Sequence, residues 1–500
     1  MGLNSKSSVA AFMLESTEGT PVVPGAATDF IALQDGYTID PAFAKLENKE
    51  LRSSIGKAKP ILGIEQPKAS FDHYLRHSGV EGQAPNFGKI LKALFGSQVV
   101  ATNDRPTVSS STVALLKVNT GIGADFQRGQ PVLVKDGVNG YSIRAVHSVS
   151  GDDVTLGFNL LHAPAASVSL GKSVLYAPVN TGHPTLTLWQ YRANGGAVEM
   201  IAGLRAVDGS FDFNAGEFIN GKYSFEGVGY SFNPITVTTY VKLDFLDNAT
   251  TRAATIAAGT YKTPSDLASA LATAMNSLGS ANTFTCSYSD TTGKFTFTSN
   301  GSTLSLLWNT GTNTAISIGR SIGANMAADQ TAALTYEMAT ALSFAAPYTP
   351  TFDSSDPIVA KDNEVLLGDS TFTAMFKASK ATVKIANARS EIKDVTAVSG
   401  VSGSVVKERT ITVQLSALLT QYDQDKFARM KNGTDTRFQY TFGTKSGGNW
   451  VPGKCGCVYL PSATITSFKV GDANGLVSID IELEAYVDSS GNGEIYMGFV

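Results

Sequence analysis

The sequence predicts a mainly β chain in which two tandem β-sandwich domains, each with a flanking α-helix, carry two inserted modules. Three observations lead there. One order of elements is written twice, in Phe30–Gly96 continued by Thr185–Tyr230 and in Phe376–Gly433 continued by Arg437–Tyr486. The 48 glycines, with abundant Ser and Thr, favour many short strands and tight turns. Five hundred residues exceed what one hydrophobic core organises and imply three or four domains.

The first copy occupies 1–105 and 185–236. It opens on an alternating strand, FIALQDGYTID, matched by FKASKATVKIA in the second copy. A charged loop comes next, LENKELRSSIGK against RSEIKDVTAVSGVSGS. A second extended run leads to a helix whose apolar stripe is Phe87, Ile90, Leu91, Leu94 and Phe95. The late strands match most clearly: LTLWQYRANGG against FQYTFGTKSGG, then GSFDFNAGEFINGKYSFEGVGY against TSFKVGDANGLVSIDIELEAYV.

Residues 106–184 interrupt this copy. Their short alternating strands, with hairpin signals at Asp136-Gly137, Asn139-Gly140 and Gly151-Asp152, read as a small β-barrel insertion. Residues 237–345 form an accessory α+β module. Its helix starts at Thr263, which caps, and Pro264, which suits the first position, with Asp266 in the first turn. Leu267, Leu271, Met275 and Leu278 form its stripe and Gly279 ends it. A turn at Thr292-Gly293 joins two strands behind it. The second copy, 346–500, carries its own helix, with Leu419, Tyr422, Phe427 and Met430 on one face and Asn432-Gly433 as its stop. Each helix reads as a lid on a sandwich.

Bulk numbers exclude several functions. Charged residues make up 16% of the chain and the net charge is −4, which disfavours a binder that neutralises phosphates. No run of roughly 18 apolar residues is present to span a bilayer. The start MGLNSKSSVAAFM lacks the pattern of a signal peptide, and Lys6 breaks the myristoylation motif. Three cysteines, an odd number, indicate a cytosolic product with no disulfide framework.

Candidate chemistry is sparse. His73 and His77 have a spacing that could hold zinc on a helix, but no third ligand accompanies them. GNWVPGKC at 448–455 outlines a P-loop and fails it. Cys455 replaces the magnesium-binding hydroxyl, Pro452 removes a donor, and a strand comes where a helix is needed, so a hairpin loop is expected. Cys455 and Cys457 point one way on a strand and read as packed thiols, and Cys286 as a buried small residue. No catalytic residue, metal site or cofactor is expected. The loop 45–59 differs: it carries both signs of charge between two extended runs, as an arm docking on a neighbour would, with Glu47, Glu50 and Arg52 setting the register.

The LENKELRSSIG loop, FDHYLR…APNFGKILKALFG, PTLTLWQY…MIAGLRAVDGSFDF and the run VYLPSATITSFKVGDANGLVSIDIELEAYV together resemble the major tail tube protein of long-tailed, non-contractile bacteriophages. That resemblance implies β-sandwich tube domains, six to a ring, whose inner strands join into one β-barrel. Rings would stack into a virion tail through which double-stranded DNA is ejected without tight binding. The chain would be made in the host cytoplasm, and its further partners would be the tape measure, tail terminator and tail tip proteins. Two domains per chain imply a trimeric ring with pseudo-sixfold symmetry; a hexamer results if only one copy faces the lumen. Carried over, Glu47, Asn48, Glu50, Leu51 and Arg52 become ring-to-ring contacts, together with the counterpart loop near 388–405 and the arm at 3–15.

Physical chemistry favours ring closure independently. Tandem β domains have raw edges, and a closed barrel removes them. A lumen that releases DNA should be lined by Ser, Thr, Asn, Gln and acidic residues, with both insertions outside it. The alternative is a virion surface decoration or host-adhesion protein that grips a glycan or a partner through 237–345, using Tyr240, Tyr261, Tyr288 or Trp308. A glycan-cleaving enzyme is a third possibility with no residue constellation behind it.

Overall fold

The computed structural model describes residues 5–50, 56–57, 59–193, 195–301, 303–353, 355–371, 376–420, 424–473, 475–487 and 493–500. The chain is mainly β, and a 17-stranded sheet holds most of both copies. In the first copy the relevant elements are β1 (Thr38–Asp40), β2 (Lys68–Tyr74), α1 (Gly88–Phe95), β3 (Leu186–Arg192), β4 (Ala197–Asn214) and β5 (Asn220–Glu226). In the second they are β6 (Ala378–Lys393), β7 (Val401–Leu418), α2 (Gln424–Asn432), β8 (Thr436–Ser446), β9 (Asn449–Ala473) and β10 (Leu476–Ala485).

The two copies repeat their strand registers, irregularities included. The β1–β2 pairing Thr38↔Ser70 corresponds to Thr382↔Gln414 in β6–β7. The same shift carries Tyr74 of β2 onto Leu418 of β7, and their partners Asn220 of β5 and Ser478 of β10 correspond in turn. In β4–β5 the ladder skips one residue, Val207, and in β9–β10 it skips Thr466. The hairpin extensions slip together as well. Phe43↔Glu65 gives way to Lys45↔Leu62, just as Asn387↔Arg409 gives way to Arg389↔Val406. Bulges bend and twist a strand at a chosen place, so a bulge shared by two copies marks a shared shape. The structural match moves the opening strand by two residues from the match of the letters: Thr38 falls on Thr382, not Lys384. A two-residue slip preserves the strand's faces, which is why the pattern conceals it.

β4 and β9 are long because each changes partners midway. The first half of β4 pairs with β3 and the second with β5, and β9 does likewise with β8 and β10. One core runs through both copies, with Phe12, Leu204, Phe211, Val383, Ile411, Phe438, Ile465 and Ile481 buried in it.

The helices differ. All five stripe residues of the first, Phe87 to Phe95, are buried. No residue of α2 is buried, and Phe427 is 50% exposed. Leu419 precedes the helix, and Tyr422 lies outside the described residues. α2 is therefore a lid with an uncovered outer face.

Residues 106–184 contribute a six-stranded sheet around their own core of Leu116, Val132, Val134, Val146, Val154 and Leu156. In the 237–345 block, the helix Pro264–Asn276 starts with the expected cap: the Thr263 amide donates to Asp266 Oδ2 at 2.9 Å, and the Asp266 amide donates to Thr263 Oγ1 at 3.2 Å. Leu267, Leu271 and Met275 are buried in a separate core with Phe245, Phe297 and Trp308.

Candidate assembly interface

Eight strands, four from each copy, pair in the order β1, β2, β5, β4, β6, β7, β10, β9. The junction of the copies is the β4–β6 seam, running antiparallel from Asp208↔Ala386 to Asn214↔Lys380. Its two faces are chemically distinct. On one, Phe211 opposes Val383, both fully buried. On the other, Thr382 Oγ1 donates to Asp212 Oδ1 at 2.9 Å, and Lys384 lies 3.5 Å from Asp208. α1 closes over the seam. A Cβ on Gly209 would come within 2.4 Å of Leu94 Cδ2, so glycine permits this close approach. Asn387 Nδ2 donates to the carbonyls of Leu94 at 3.2 Å and Ala206 at 3.4 Å, tying β6 to the helix.

The repeat places a counterpart of each seam strand elsewhere in the chain, and there both stand open. β1 is the counterpart of β6 and residues 467–473 of β9 are the counterpart of the seam half of β4; among the described residues β1 pairs only with β2, and 467–473 only with β10. Ala381, Val383, Ile385 and Asn387 are buried, whereas their equivalents Tyr37, Ile39 and Pro41 are half-buried and Phe43 is exposed. Phe211 is fully buried; its equivalent Val470 is 59% exposed. The same fold with opposite burial leaves both edges without a covering strand among the described residues.

The polar face of this sheet is continuous. Lys68 meets Glu226 at 2.9 Å and Lys222 meets Asp212 at 3.0 Å. Asp40, Asp72, Asp480, Glu482 and Glu484 lie on the same face. Lys380 and Lys469 are on this face as well. Lys68, Lys222 and Lys384 each stand beside a carboxylate, so the face is a mosaic of paired charges.

Of the residues expected to make ring-to-ring contacts, Glu47, Asn48 and Glu50 lie in the turn region beyond the Phe43–Leu46 strand, where the Glu50 amide donates to Asn48 Oδ1 at 2.9 Å. Leu51 and Arg52 lie outside the described residues. The counterpart is the β6–β7 hairpin tip, on which Val395 and Val398 are fully exposed. The two extensions touch through the Glu65 amide, which donates to the Ser399 carbonyl at 3.2 Å.

His73 and His77 do not share a helix, since His73 belongs to β2. His73 is buried against the Tyr223 ring at 5.2 Å, with Nδ1 3.0 Å from the Tyr74 carbonyl oxygen. Burial without a counter-charge holds its pKa at about 4. Among the described residues no group of three or more His, Cys, Asp or Glu could hold a metal. Cys455 and Cys457 are buried thiols pushed up to about 12 by desolvation, while Cys286 is only partly buried. The 448–455 stretch turns tightly at Gly447-Gly448 and continues as β9 with an irregular register, so it is less a loop than expected. In the accessory module Trp308 is fully buried with its Nε1 donating to Gln330; Tyr240 is exposed beneath the Arg320 guanidinium. No helix among the described residues is long and apolar enough to cross a membrane.

No family model and no curated protein matches this chain. Among solved structures it is similar to the SPP1 tail tube, determined by solid-state NMR and cryo-EM, at 15% identity and a TM-score of 0.21 over 28% of this chain and 77% of that one.

Proposed function

We propose that this chain is a structural subunit that closes with copies of itself into a barrel ring, and that stacked rings form the tail tube of a virion. The carrying observation is the β4–β6 seam together with its two counterparts, β1 and residues 467–473 of β9, whose outer edges have no partner strand among the described residues. An unpaired edge with exposed apolar residues is a liability in a monomer, and pairing the last strand of one chain with the first of the next removes it. Each chain supplies two copies joined by the internal seam, so the six domains per ring that the resemblance implies would come from three chains, a trimer with pseudo-sixfold symmetry.

The polar face would then line the lumen. Lysines matched to carboxylates offer few free cations to phosphates, which supports passage of double-stranded DNA without tight binding. The tape measure, tail terminator and tail tip proteins are the remaining partners of this reading. The 45–59 loop, with Glu47, Asn48, Glu50, Leu51 and Arg52, and the hairpin tip bearing Val395 and Val398 would join successive rings. Negative-stain microscopy of the purified chain tests the proposal: top views with three repeating units and stacked side views are expected. A monodisperse monomer at every concentration overturns it.

A further inference from the structure

The internal seam and the seam between chains are built differently, and the difference specifies how a neighbour docks. Transferring the register Asp208↔Ala386 to Asn214↔Lys380 onto the open edges sets Ser467 against Ala42 and Ala473 against Gly36. Val470 then opposes Ile39 on the apolar face, as Phe211 opposes Val383 inside the chain. On the polar face Lys469 opposes Asp40, a charge-complementary pair directly across the strands. The Gln66 amide donates to the Ala42 carbonyl at 2.7 Å, so Ala42 faces the β2 side and its neighbour Pro41 turns to the open edge. A proline there withholds a donor from stray strands, which protects an edge awaiting its proper partner.

The cover over the seam also changes. Inside the chain, Gly209 lies beneath Leu94 of α1, and Asn387 bonds the helix carbonyl. In the second copy Phe468 replaces Gly209 and is met by Phe427 of α2, ring centroids 6.0 Å apart. Phe43 replaces Asn387, and it is 44% exposed at the open edge. We infer that Phe43 of one protomer seats beside Phe427 and Phe468 of the next, with Lys469 opposite Asp40, so that an aromatic contact between chains takes the place of the amide hydrogen bonds within the chain. The occupant of this face is a second copy of the same chain. The uncovered outer face of α2 and the exposed Val470 are both accounted for by its arrival.

This inference rests on the ring reading but fails separately from it. In a Cys286→Ser background, Asp40→Cys combined with Lys469→Cys should give covalent trimers on a non-reducing gel after mild oxidation. These two positions form a non-hydrogen-bonded cross-strand pair, where Cα atoms come within disulfide reach. Asp40→Cys combined with Gly471→Cys, shifted by two residues, should remain monomeric on the same gel. Phe43→Asp should keep the melting temperature of the monomer and reduce the yield of rings at least tenfold. Rings that form while only the shifted pair cross-links overturn the register, and rings indifferent to Phe43→Asp overturn the aromatic contact. If the unmodified chain forms no rings, the proposed function falls, and this inference with it.

Discussion

His73 shows how one side chain binds stability to pH. Its Nδ1 is satisfied by the Tyr74 carbonyl, while Nε2 is buried without a partner, so a second proton would place a bare charge among aromatic rings. The folded pKa of about 4 lies below the ordinary value near 6.5, so the unfolded chain binds the proton first. The contribution is therefore complete above about pH 6.5 and is lost as the pH falls toward 4, on the order of 3 kcal/mol. His183, also held at about 4 by burial and by Arg409 and Arg205, acts in the same window. Chemical denaturation at pH 7 and pH 4.5 should show a smaller stability gap for His73→Phe than for the parent chain; an unchanged gap would place the acid sensitivity elsewhere. In the sequence His73 and His77 stand out as a pair because a spacing of four puts both on one face of a helix, but here only His73 belongs to a regular element. His73 lies in β2, and His77 lies in the chain beyond its end.

Helices and hairpins are the most legible elements, and their covers the least. The Thr263–Asp266 capping box is readable because it is a local exchange of hydrogen bonds. Thr263→Ala should cost about 1 kcal/mol in the stability of that helix, read as faster amide exchange across Pro264–Asn276. The stripe of α1 is equally clear, but the stripe of α2 predicts the same lid and the structure leaves that lid uncovered. Periodicity reports which face is apolar; it does not report whether the chain itself covers that face. The seam strands are hidden for a related reason. Alternation in β4 and β6 shows that each has a buried face, but the pairing that joins residues 208–214 to 380–386 spans the whole accessory module and leaves no local trace. At this scale, deleting residues 45–59 should leave folded subunits or single rings that no longer polymerise. Long tubes seen by microscopy after the deletion would remove that loop from the ring-to-ring contacts.

For the whole molecule, the separate cores of the accessory module and of the tandem copies predict independence. Replacing residues 240–343 by a short linker should preserve folding and ring formation, measured by size-exclusion chromatography and microscopy; general misfolding would show that the module completes the core. The duplication is legible from the order of elements, but the strength of the match is not. Only the bulges at Val207 and Thr466 and the slips after Phe43 and Asn387 show that two dissimilar stretches of sequence encode one shape.

If the proposed ring forms, carrying both halves on one polypeptide would also alter the kinetics of its growth. Two separate half-subunits would meet by diffusion at every join of a circle. In the proposed ring every second join would be made during folding, at the high effective concentration that a covalent tether provides. Fewer encounters must then succeed before a circle shuts, so incomplete arcs should be short-lived, and a cell making this chain should accumulate finished circles and single subunits with little in between.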